Sequence, residues 1–131
     1  EALNIVVNED VENNVFFVSQ LAVPIMLNKI KGYDKLISPK ILSLADCDRR
    51  KESQYCETLY YYLTCDRSLK DTCEALFTHR NTILYRIRKM KEDFEIPLED
   101  SNLHFQLLLE ISLILLKEKG SEFFISKIDN D

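Results

Sequence analysis

Ser68-Leu-Lys-Asp-Thr-Cys-Glu-Ala-Leu-Phe77-Thr-His-Arg-Asn-Thr-Ile-Leu-Tyr-Arg-Ile87-Arg-Lys-Met90 decides how the rest of this chain is read. Leu69, Cys73, Leu76 and Phe77 fall at i, i+4, i+7 and i+8, the spacing of one face of a helix. Ser68, with Asp71 three residues on, resembles a capping box in which Asp replaces the longer Glu. A second helix begins at Thr78 or His79 and carries the apolar stripe Ile83, Ile87, Met90 and Phe94. Two short helices joined by a tight turn are therefore expected. From Arg80 to Lys91 the chain holds Arg80, Arg86, Arg88, Lys89 and Lys91 and no anion, within a formal net charge of -5. Such a local reversal of sign is the footprint of a nucleic-acid contact surface.

A rotation of about 100° per residue sorts the second helix into faces. With Ile83 as reference, Ile87, Met90 and Phe94 point inward, and Asn81, Tyr85 and Arg88 cluster on the opposite side. A helix that reads a major groove needs planar or short hydrogen-bonding groups at its N-terminus and cations further along. Arg80 can present a fork to guanine and Asn81 can do the same for adenine. Tyr85 suits a phosphate, a thymine methyl or half-buried packing. Thr82 suits a phosphate or packing, and His79 a phosphate or a helix cap. Arg86, Arg88 and Lys89 would add salt-sensitive phosphate affinity. A basic helix face is also, very often, no more than a solvated surface.

Outward from this segment, Ser38-Pro39 fits a helix start with Pro in the first turn, and Ile41, Leu42, Leu44 and Ala45 give that helix an apolar side. Asp46 to Ser53 is either a solvated helix face or a connection. Tyr55, Leu59, Tyr62 and Leu63 define the next helix, broken at Thr64 to Arg67. Ile96-Pro97 ends the basic helix. Glu99 to Asn102 caps a last long helix, Leu103 to Lys119, stopped by Gly120, and Phe123, Phe124 and Ile125 suggest that the tail packs. Near the N-terminus, Val15-Phe-Phe-Val18 reads as a short strand and Leu21 to Ile30 as a helix.

Composition narrows the classes. A hydrophobic fraction of 46% with 30% charged residues suits a globular chain able to fill one core. Two Gly and three Pro are too few for a many-stranded sandwich, so the fold is expected to be all-α. Four Cys without a Cys-x-x-Cys pair read as free thiols in a reducing cytoplasm, with no metal site. No paired carboxylates sit beside a nucleophile and no Gly-rich phosphate loop occurs, so neither an enzyme nor a cofactor is expected. The longest apolar run, Leu107 to Leu116, falls short of a membrane span. The chain opens on Glu1 rather than Met, and a longer protein is expected, its missing N-terminal part holding the sensing function.

Leu76-Phe-Thr-His-Arg-Asn-Thr-Ile-Leu-Tyr-Arg-Ile87 resembles the pattern Leu-Phe-x-His-Arg-Asn-Thr-Leu-x-Tyr-Arg-Leu of the C-terminal helix-turn-helix domain of PucR-type (purine catabolism and sugar-diacid) bacterial transcription factors. Asp48, Thr58-Leu59 with Tyr62-Leu63, and Phe105-Gln-Leu107 resemble flanking pieces of the same domain, extending the likeness over roughly residues 38 to 116. Cys73 stands where Ala is usual, Leu84 at a position usually polar, and Glu95 and Glu110 where Gly and Ala are common. The last two point to a changed turn after the basic helix and a changed packing of the last one.

The resemblance implies an all-α helix-turn-helix domain of about five to six helices over 38–119. Residues 1–37 then form a junction to a missing sensor region, and 120–131 a C-terminal tail. It further implies a sequence-specific DNA-binding domain of a cytoplasmic transcriptional regulator. Its recognition helix, about 79–94, would lie in the major groove of double-stranded DNA. Arg80, Asn81 and Tyr85 would read bases, and His79, Thr82, Arg86, Arg88 and Lys89 would hold phosphates. A homodimer is expected from two-fold helix-turn-helix logic and from the apolar surface of Phe105 to Leu116, a surface that equally suits a buried core helix. Any effector would bind the missing N-terminal region. A protein-interaction module of the same fold that has lost DNA binding is the alternative.

Overall fold

The computed structural model describes residues 33–129. Six α-helices and no strand occur among them: α1 Pro39–Lys51, α2 Tyr55–Thr64, α3 Leu69–Leu76, α4 Arg80–Glu92, α5 His104–Lys119 and α6 Glu122–Asp129. Short 3-10 turns, Tyr33–Leu36 and Ser101–Leu103, precede α1 and α5. The all-α expectation holds. The strand expected at Val15 to Val18 and the helix at Leu21 to Ile30 lie outside the described residues.

Helix α2 is the centre of the molecule. All of its ten residues except Glu57 and Thr64 are buried, and α1, α3, α4 and α5 each pack against it. A ten-residue helix with so little exposed surface is stable only inside a core, because short isolated helices are marginal in water. Leu59 and Leu63 of α2 meet Ile83, Ile87 and Met90 of α4 and Ile111, Leu113 and Leu115 of α5 in one cluster. Each such side chain contributes about 1.5–3 kcal/mol on burial. The stripe read for α4 is therefore the observed core face, with half-buried Phe94 stacked at a tilt on Tyr55, ring centroids 5.9 Å apart.

The tail joins the same core. Phe124 of α6 is buried and meets Tyr60 edge-on at 5.7 Å, and Phe123 meets it at 5.5 Å. Residues 120–131, read as a tail, thus carry a packed helix. Helix α5 begins at His104 rather than Leu103, and Asp100 caps the 3-10 turn ahead of it by accepting from Asn102 N–H at 3.0 Å.

Two helices are capped by residues from elsewhere in the chain. The side chain of Gln54, at the N-cap of α2, makes no cap bond. Asp48 on α1 supplies it, its carboxylate accepting from the backbone N–H of Tyr55 at 3.0 Å and of Cys56 at 2.8 Å and from the Ser53 hydroxyl at 2.6 Å. Ser38 likewise leaves α1 uncapped, and Glu110 on α5 accepts from the Ser38 N–H at 2.9 Å while Gln106 donates to its other oxygen at 3.0 Å. Glu110 is buried, so this is how a carboxylate is accommodated where a small apolar residue is usual. A negative charge at a helix N-terminus is also favoured by the helix dipole.

Glu95 keeps the left-handed conformation that Gly favours, with φ 54°. The Ile96 N–H donates to Met90 O at 3.0 Å and closes α4, and Lys40 holds the Glu95 carbonyl at 2.9 Å. One sequence expectation fails here. Phe77, counted in the inward stripe of α3, is the left-handed residue that ends that helix, with φ 50°, and its side chain points into solvent. The i+8 position satisfied the spacing, but the helix has stopped before it.

Two outcomes follow from this packing. Asp48→Ala leaves the first turn of α2 without its acceptor and lowers stability by about 1–3 kcal/mol, read from the urea midpoint. Burial pushes the phenols of Tyr60, Tyr61 and Tyr62 up, Tyr62 to about 12, with its hydroxyl donating to Glu99. In the unfolded chain they titrate near ~10. The folded form then holds protons that the unfolded form has released, so stability present below about pH 10 is lost as pH rises toward 12. Urea midpoints at pH 9 and pH 11 check this, with the lower value expected at pH 11.

Candidate nucleic-acid interface

Helices α3 and α4 and the turn between them form the helix-turn-helix. Ser68 caps α3, its hydroxyl accepting from the Asp71 N–H at 3.1 Å, which is one half of the expected capping box. The Thr72 hydroxyl is buried and donates to the Ser68 carbonyl at 2.7 Å. Helix α3 ends at Leu76, and the Thr78 N–H closes it on Cys73 O at 3.1 Å. Three residues, 77–79, separate it from the start of α4.

His79 is the N-cap of α4, its Nδ1 accepting from the Asn81 N–H at 3.1 Å. That bond requires the lone pair on Nδ1 and places the ring proton on Nε2, a donor on an exposed residue. The cap reading of His79 is thus the observed one, and the free edge of the ring remains able to meet an anion.

The charged side chains of α4 fall into two groups. Arg80, Asn81, Thr82 and Arg88 are exposed, and their side chains make no hydrogen bond or ion pair among the described residues. Lys89 pairs with Asp93, whose carboxylate raises the Lys89 pKa by accepting from it. Lys91 reaches Glu99 at 3.5 Å, and the same Glu99 oxygen accepts from the Tyr62 hydroxyl at 2.8 Å. Arg86 is half-buried and donates to the Thr58 hydroxyl of α2 at 3.1 Å. The sequence places Arg86 nearer the core than the other cations while giving it a phosphate role with Arg88 and Lys89, and the structure engages it with α2.

Tyr85 is 47% exposed, with the Arg88 guanidinium 5.8 Å and the Lys89 ammonium 6.0 Å from its ring centroid. Both cations are attracted to the ring face. Leu84 is 40% exposed, and on the helix it lies one turn from both Arg80 and Arg88. Asn81, Tyr85 and Arg88 thus share the outward side of α4, opposite the buried Ile83, Ile87 and Met90, while Arg80 is exposed at the first turn, on the side of Ile87. Sequence reasoning missed the Arg86–Thr58 bond. Its signal was a Thr immediately before Leu59, at a position of α2 where a hydroxyl needs a partner.

Residues 55–113 match the family model described as the PucR C-terminal helix-turn-helix domain. The chain is similar to the proline-responsive transcriptional activator PutR of Bacillus subtilis, 36% identical over 72 residues, which is 55% of this chain and 17% of that protein. It is also similar to the DNA-binding transcriptional activator AdeR of Bacillus subtilis, 31% identical over 70 residues, 53% of this chain and 17% of AdeR. The chain therefore matches only about a sixth of the length of these curated relatives. No solved structure matches it. The likeness falls on the stretch that holds α2, α3, α4 and the first part of α5, and over residues 55–113 this chain is similar to the PucR C-terminal helix-turn-helix domains.

Proposed function

We propose that this chain is the DNA-binding part of a bacterial transcriptional regulator, with α4 lying in the major groove of double-stranded DNA. The observation that carries the reading is the division on α4. The side chains of Arg80, Asn81 and Arg88 are exposed and make no hydrogen bond or ion pair among the described residues, Arg88 lying only against the Tyr85 ring, whereas Arg86, Lys89 and Lys91 are each hydrogen-bonded or ion-paired within the chain. Exposed groups of this kind keep their hydrogen-bonding capacity for a partner, and a duplex supplies acceptors for it. Arg80, Asn81 and Tyr85 read base edges. His79 through Nε2, Thr82 and Arg88 bind phosphates, as does Lys89 once it leaves Asp93. Arg86 reaches a phosphate only with the donors that Thr58 does not use.

The wider organisation belongs to the same proposal. Residues 1–37 join a sensor region that binds any effector, 38–119 form the DNA-binding unit and 120–131 complete its packing. The regulator acts in the cytoplasm as a homodimer on two half-sites. Much of the apolar surface of α5 is spent within the chain, since Leu107 and 110–116 are buried. The dimer therefore rests on two-fold logic and on Phe105, which is 64% exposed. The alternative, an interaction module of this fold without DNA binding, draws on the net charge of -5 and on the pairing of Lys89 and Lys91 with carboxylates.

Selection of random duplexes by the wild-type chain, followed by affinity measurements at two salt concentrations, tests the proposal. Arg80→Ala and Asn81→Ala each lower affinity for the selected duplex by about 1–3 kcal/mol and flatten base preference. Arg88→Ala weakens all duplexes alike and reduces the salt slope by about 1. An equal loss on every sequence for Arg80→Ala and Asn81→Ala overturns the base-reading role. Absence of binding to any duplex by the wild-type chain favours the interaction module.

A further inference from the structure

Phe77 is the most exposed large apolar residue among the described ones, 95% accessible, and it occupies the left-handed region at φ 50° and ψ 44°. Both features are unfavourable in isolation. A residue with a Cβ in this conformation costs about 1–2 kcal/mol, which Gly would avoid, and a solvated phenyl ring returns nothing. The turn itself does not need the ring. Its closure uses backbone groups, Thr78 N–H to Cys73 O at 3.1 Å and Phe77 N–H to Glu74 O at 3.3 Å. An uncompensated outlier of this kind points to a role outside the folded chain.

Its position indicates the partner. Phe77 stands two residues ahead of His79, the N-cap of α4, at the end where a recognition helix brings its first residues to the bases. From Phe77 to Lys91 the chain has no carboxylate, while Arg80, Arg86, Arg88, Lys89 and Lys91 lie in it. An apolar ring set in an all-cationic stretch is complementary to a surface on which phosphates alternate with apolar patches. Duplex DNA is such a surface, offering deoxyribose along the groove wall and thymine 5-methyl groups within it.

We propose that Phe77 is a DNA-contact residue whose ring packs on an apolar group of the duplex beside the N-terminus of α4. This rests on the DNA-binding reading above and adds an apolar, salt-independent contact to its polar and ionic ones. The strain in the turn holds the ring outward, so the contact forms without reorganisation of the helix pair.

The test uses the 131-residue chain, a duplex selected by the wild type, and the same duplex with deoxyuridine in place of thymidine. Phe77→Ala is expected to lose roughly 10-fold or more in affinity with an unchanged salt slope, because a buried apolar contact and no ion pair is removed. Phe77→Gly is expected to lose the same affinity while melting several degrees higher, since it also relieves the backbone. Wild-type affinity that falls on the deoxyuridine duplex while that of Phe77→Ala does not assigns the ring to a thymine methyl. Equal behaviour of the two on both duplexes, with the Phe77→Ala deficit kept, assigns it to deoxyribose. Wild-type affinity in both variants overturns the inference and leaves the DNA-binding reading intact. A large drop in melting temperature for Phe77→Ala also overturns it, by showing that the ring packs within the chain. Failure of the wild-type chain to bind any duplex refutes the underlying reading instead.

Discussion

The Thr58 hydroxyl lies at the junction on which the geometry of α4 depends. It is wholly buried in the face of α2, donates to the Gln54 carbonyl of its own helix at 2.7 Å and accepts from Arg86 of α4 at 3.1 Å. A buried hydroxyl must find partners, and this one finds them on two helices at once. Apolar contacts between Leu59, Leu63, Ile83 and Met90 bring α2 and α4 together, but such contacts are tolerant of rotation and sliding. The Arg86–Thr58 bond is directional and sets how α4 turns its outer face. Because Arg86 points inward, Tyr85 and Arg88 point outward, and Arg88 can cover the Tyr85 ring.

Around that junction the electrostatics are arranged by proximity to carboxylates. Asp93 and Glu99 follow α4 closely in sequence and take up Lys89 and Lys91, at the C-terminal end of the helix. From Phe77 to Lys91 the chain holds no acid. The cations of α4 not paired with a carboxylate are therefore Arg80, Arg86 and Arg88, and the positive end of the helix dipole lies beside Arg80. A chain with an acidic total can in this way present a sharply basic edge, since exposed charges beyond about 8–10 Å contribute little at physiological salt.

Much of this was legible in the sequence, and the remainder had identifiable reasons for staying hidden. The core stripe of α4 could be read because Ile83, Ile87 and Met90 repeat at the period of the helix, and α5 because Gly120 ends a long apolar run. Asp48 and Glu110 could not be read as caps. Each acts across 7 to 8 and 72 positions respectively, beyond any local capping pattern. Phe77 was misplaced because periodicity says which residues share a face but not where the helix stops, and a non-Gly residue at positive φ carries no composition signal. Arg86 was given a phosphate role with Arg88 and Lys89 because charge is visible in a sequence, whereas the hydroxyl that engages it belongs to a different helix.

The cap that Glu110 gives to α1 has a consequence for the order in which the chain acquires structure. A first turn closed by a residue 72 positions away gains that acceptor only after α5 has docked. The Ser38 amide at the start of α1 thus depends for its acceptor on α5 rather than on its sequence neighbour α2. Long loop closure of this sort slows folding and couples distant segments into one cooperative unit. The segment matched by the family, 55–113, includes Glu110 but not Ser38, so one cooperative unit of the fold extends beyond the boundary of family likeness.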